Sequence, residues 1–101
     1  MGCLEMINLR SVSVTERAQV IELVQEIVPD QVNHLVSAKW CVHGNLDTDL
    51  SVQLFWECGK MNRSSELAQR LIRLLENYGL VSHHIWIEAG IFFTANEKEA
   101  K

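Results

Sequence analysis

The chain is predicted to fold as one α+β domain, a four-stranded antiparallel sheet with two helices packed on one of its faces. Three observations predict it. Apolar residues recur with a period of two along four segments and at helical spacing along two others. Those segments follow one another as strand, helix, strand, strand, helix, strand. The 101 residues are too few for a second core, which would need roughly another 100 to 200. With 48% hydrophobic and 22% charged residues and a mean hydropathy of +0.01, the chain holds enough apolar surface to offset the entropy of ordering. Residues 1–95 are expected to form the domain and 96–101 a polar C-terminal tail.

Ile7 to Val14, rich in β-branched residues, is the expected first strand. Its alternation slips between Leu9 and Val12, which places a bulge near Arg10 and Ser11. Thr15 is the expected cap of the first helix, whose face is Val20, Ile21, Val24, Ile27 and Val28. Pro29 stops that helix, because the residue before a proline is pushed out of the helical region. A short helical turn through Val32 and Leu35 is expected to follow.

Ala38 to His43 and Leu50 to Cys58 alternate as strands. Gly44 to Asp49 between them is loop chemistry, so the two form a hairpin. Pairs of matching face are Val42 with Val52, Trp40 with Leu54 and Cys41 with Gln53. Ser64 is the expected cap of the second helix, with Leu67, Leu71, Leu74, Leu75 and Tyr78 as its apolar stripe. Gly79 is expected to end it in the left-handed conformation. Val81 to Ala89 is the last strand, interrupted by Gly90 and followed by Ile91, Phe92 and Phe93.

This element order resembles the ferredoxin-like βαββαβ arrangement, in which right-handed crossovers give strand order 4-1-3-2 with both helices on one face. The covered side then receives Trp40, Val42, Leu50, Val52, Leu54, Trp56, Ile85 and Ile87. The open side carries Lys39, Cys41, His43, Gln53, Phe55, Glu57, His84, Trp86 and Glu88. That face is too aromatic to be only a solvated surface, since burying a side chain such as Phe is worth roughly 1.5 to 3 kcal/mol. A second copy is the simplest cover. The arrangement is similar to the dimeric α+β barrel group, which includes small monooxygenases, stress-response proteins and ligand-binding regulators. The similarity lies in element order and carries over no site residue.

Thirteen acidic against nine basic residues give a net charge of −4 with no basic block, which argues against nucleic acid. No apolar run approaches the roughly 18 residues that cross a bilayer, and the start lacks a signal-peptide pattern. Three cysteines, an odd count, fit a reducing compartment, so a cytoplasmic protein is expected. Met1-Gly2-Cys3 suggests acylation, but Met6 stands where that pattern wants Ser or Thr, and an untethered start is the reading.

Cys41, His43 and His84 are the residues that would suggest a zinc site. They lack the repeated close pairs of a zinc site, and His84 falls on the opposite sheet edge from Cys41, so no metal is expected. Asn45, Asp47 and Asp49 mimic the opening of a calcium loop, but Leu50 and Trp56 stand where Gly and Glu are required. Of the adjacent His83 and His84, the inward His83 reads as a hydrogen-bonded core residue. His43, Phe55, His84, Trp86 and Glu88 are the candidate ligand or partner contacts. The leading expectation is a binding or interaction module, homodimeric through its open sheet face or its C-terminal Ile91 to Phe93 segment, with a possible small-molecule ligand. The alternative is a cofactor-free small-molecule enzyme, monooxygenase-like or isomerase-like, with a cleft near His43, His84 and Trp86 and a histidine as acid or base.

Overall fold

The computed structural model describes residues 2–10, 12–28, 32–57 and 65–95. Its elements are β1 (Gly2–Arg10), α1 (Val14–Ile27), β2 (Leu35–Val42), β3 (Leu50–Glu57), α2 (Glu66–Leu75) and β4 (Leu80–Ile87). The strands form one antiparallel sheet in the order β2-β3-β1-β4, which is the expected order 4-1-3-2 read from its other edge. The architecture is ferredoxin-like.

Both helices lie on one side. Cys3, Ile7 and Leu9 of β1 and Leu50, Val52, Leu54 and Trp56 of β3 point inward and are buried with Val20 and Val24 of α1 and Leu67, Ala68, Leu71 and Leu75 of α2. The central strands have the deepest burial because both helices lean over them. At the edge, Trp40 of β2 remains 43% exposed although its phase is inward.

The first strand lies earlier than expected. β1 is a regular strand ending at Arg10, and Val12 and Ser13 lead into α1 without a strand of their own. The registers of β1 run without a shift through Arg10, so no bulge appears among its described residues, and Ser11 lies outside them. The N-cap of α1 is Ser13, not Thr15. The Ser13 hydroxyl bonds the Thr15 hydroxyl at 2.6 Å rather than a backbone N–H. Instead of a helical turn, Asn33 and His34 form a turn closed by Leu35 N–H to Val32 O at 3.1 Å. His34 sits at φ 67°, and Leu35 already opens β2. Pro29 and Asp30 lie outside the described residues, as does Cys58.

The β2–β3 hairpin differs from expectation by two residues. Val42 lies opposite Leu50, Trp40 opposite Val52 and Cys41 opposite Ser51. A shift of two leaves every side chain on its own face, so alternation could not exclude it. The His43 N–H to Asp49 O bond at 3.0 Å closes the loop and sets the register.

The cap of α2 is Ser65, whose hydroxyl accepts from Ala68 N–H at 3.0 Å; Ser64 lies outside the described residues. At the other end, Asn77 donates its side-chain amide to the carbonyls of Arg73 and Leu74 at 3.2 and 3.1 Å, satisfying the last turn. Gly79 is therefore not a left-handed cap, and no described glycine has positive φ. It is small for another reason: a Cβ there would fall on the carbonyl oxygen of Arg10.

Candidate active site

β1 places one acid in a row of inward-facing apolar residues. Glu5 follows Cys3 and precedes Ile7 and Leu9, and it is 0% exposed. An unpaired carboxylate in such a place would cost several kcal/mol. Here four groups donate to it. Ser65 Oγ reaches Oε1 at 2.6 Å, and Trp56 Nε1 reaches the same oxygen at 3.1 Å. Ser65 N–H reaches Oε2 at 3.0 Å, and His83 Nε2 lies 2.8 Å from it.

The carboxylate thus sits at the positive end of α2, where negative charge is favoured. Burial by itself pushes the Glu5 carboxyl up. The bonds from the Ser65 hydroxyl, the Ser65 N–H, His83 and Trp56 together outweigh burial and hold it below its ordinary 4.5. Glu5 is a carboxylate at neutral pH.

His83 comes from the inward face of β4, opposite Ile7 and diagonal to Glu5. A carboxylate only accepts, so ring Nε2 carries the proton of the 2.8 Å contact. In the neutral ring Nδ1 is then a proton acceptor. The His83 side chain retains 22% of its exposure while Glu5 has none, so the ring is anchored at Nε2 and partly open to solvent. A buried carboxylate that fixes a partly exposed imidazole is one arrangement that general base catalysis can use.

The sequence-predicted candidates lie elsewhere. Phe55 and Trp86 belong to one row across the open face, Ser37–Phe55–Leu4–Trp86, and His84 to the next, Lys39–Gln53–Met6–His84. Trp86 is 63% exposed. Glu88 follows β4, its N–H bonded to Gly2 O at 2.9 Å. His43 stands at the end of β2, on the sheet edge opposite to His84, and its Nδ1 accepts from Asn45 N–H at 3.0 Å. Phe55, Trp86 and His84 are brought together, whereas His43 lies apart, beside a cleft of about 360 Å³ that also touches Cys41 and Ser82. Among the described residues no three His, Cys, Asp or Glu side chains gather as metal ligands.

Sequence reasoning found His83 as a hydrogen-bonded inward residue but missed Glu5, Trp56 and Ser65 as its company. The one available signal was an acid at every-second-residue spacing among Cys3, Ile7 and Leu9. A second feature of the covered side is a cleft of about 700 Å³ between α1 and β2, walled by Val24, Val28, Val32, Leu35 and Trp40.

No protein-family model matches the chain, and no curated protein matches it in sequence. Solved structures do share its fold. A protein of Mycobacterium tuberculosis superposes with a TM-score of 0.66 at 7% identity, over 92% of this chain and 100% of its own. A monooxygenase of Streptomyces coelicolor from the gene ActVA-Orf6, in complex with nanaomycin D, gives 0.60 at 21% identity over 93% of both chains. SnoaB of Streptomyces nogalater, a cofactor-independent oxygenase, gives 0.59 at 9% identity over 90% of this chain and 95% of its own. Identities this low show the fold alone. That fold is the ferredoxin-like α+β fold, and the solved structures that share it include proteins described as antibiotic biosynthesis monooxygenases. Among the described residues no helix is long and apolar enough to cross a membrane.

Proposed function

We propose that the chain is a homodimeric, cofactor-free small-molecule enzyme of the monooxygenase-like kind, in which His83 takes a proton from the substrate and Glu5 positions it. The observation that carries this reading is the 2.8 Å contact between a fully buried carboxylate and a partly exposed imidazole. It is supported by a fold shared with SnoaB, which is described as a cofactor-independent oxygenase.

The reaction follows from acid and base chemistry. For a substrate with a CH2 flanked by aromatic rings or carbonyls, His83 Nδ1 removes one proton. The electron pair left on carbon reduces O2. One oxygen atom becomes the carbonyl oxygen of the product, and the other leaves as water with the two hydrogens. Because the Streptomyces coelicolor neighbour holds nanaomycin D, organic molecules of that size are the first substrates to try. The dimer is proposed to form through the open face, where Leu4, Phe55 and Trp86 share a row.

Oxygen uptake with an anthrone-type compound, in the presence of chelator and without flavin, tests the reading. One O2 consumed per quinone formed is the expected result. The second reading is a homodimeric binding module, favoured by the aromatic open face with its His84. Saturable quenching of tryptophan emission by such compounds with no oxygen uptake would establish it in place of the enzyme.

A further inference from the structure

Two apolar features have no cover among the described residues, and they match each other. One is the α1–β2 cleft, with the edge-strand Trp40 in its wall. The other is the segment after β4, where Ile91, Phe92 and Phe93 are all exposed. Isolated apolar side chains on a surface are ordinary, but three consecutive exposed ones are not. We propose that Ile91–Phe93 of one copy docks into the α1–β2 cleft of a second copy. This rests on the homodimer reading above and goes beyond it by naming the surfaces.

Within one chain the two features belong to opposite edges, since β2 and β4 are the outer strands of the sheet. They nevertheless share a level along the strands. Leu35, Trp56, Cys3 and Ile87 form one row across the sheet, so β4 ends at the height where β2 begins and where the cleft lies.

A two-fold axis between two stacked open faces and parallel to the strands has a definite consequence. It exchanges the edges, so that β4 of one copy lies against β2 of the other, and it leaves position along the strands unchanged. The segment leaving β4 therefore emerges beside the partner's Leu35, at the level of its cleft. Stacked sheets lie about 10 Å apart, and the six residues 88–93 reach about 20 Å when extended, enough to pass around the β2 edge. The contact is made twice by symmetry and closes on itself, so it produces a dimer and not a filament.

The experiment is a cysteine pairing. Gln25 lines the cleft and is exposed, as is Phe92, so Gln25→Cys with Phe92→Cys is compatible with folding; Cys41→Ser and Cys58→Ser remove competing thiols. Under mild oxidation the expected product is a disulfide-linked dimer. In a second variant, Phe92→Ser with Phe93→Ser, sedimentation should give a dimer dissociation constant at least tenfold weaker. A chain that sediments as a dimer, fails to cross-link and is unaffected by the double serine variant overturns the docking while leaving the dimer in place. A chain that sediments as a monomer at about 100 μM overturns the dimer reading itself, and the docking with it.

Discussion

Trp56 and His83 stand on the two strands that flank β1, and each directs a ring nitrogen at the carboxylate of Glu5, at 3.1 and 2.8 Å. With the Ser65 cap they tie β3, β1, β4 and the start of α2 to one buried charge. Removal of that charge tests its structural weight. Glu5→Ala should cost about 3 kcal/mol or more, because it leaves buried donors unpaired. Urea unfolding checks this, and a loss below about 1 kcal/mol would mean that water replaces the carboxylate.

Acid should weaken the fold through the same group. The Glu5 carboxyl is held below its ordinary 4.5, so its contribution is fully present above that value. The contribution is lost as pH falls through the lowered folded value, because the unfolded chain then binds the proton more readily. Thermal unfolding followed from pH 7 to pH 3 should show a steeper acid loss than in Glu5→Gln, which has no carboxyl to titrate there. Parallel curves for the two proteins would refute the assignment.

Gly79→Ala should destabilise the chain by about 1 to 3 kcal/mol, the usual range for forcing atoms into a packed site. The added methyl meets the Arg10 carbonyl at the entry to β4. Chemical denaturation gives the number, and an unchanged midpoint would show that the Gly79 turn moves aside freely.

The open face should govern association. Trp86→Ser combined with Phe55→Ser removes two rings of one row while leaving the covered core intact. Sedimentation should then show a dimer at least tenfold weaker, with the circular dichroism spectrum unchanged. Equal association by the variant and the parent chain would place the interface elsewhere.

Much of this fold was legible because burial on one side writes itself into alternation. Leu50 to Trp56 and Leu67 to Leu75 announced their faces, and short connections then left few topologies. β1 was misplaced because Glu5 interrupts an apolar series with a charge whose partners lie 51, 60 and 78 residues away. The hairpin register escaped because a shift of two residues conserves every face. The candidate site was the least legible for the same physical reason. His83 is unremarkable in sequence, and its chemistry arises only when β4, β1 and the end of α2 meet around one carboxylate.

The most direct test is turnover by His83→Asn, a variant that keeps a polar side chain beside Glu5 without a proton-accepting ring nitrogen. If His83 is the base, kcat should fall about 100-fold or more with little change in KM and with the melting temperature close to that of the parent chain. A variant that folds and turns over within twofold of the parent rate would contradict the account.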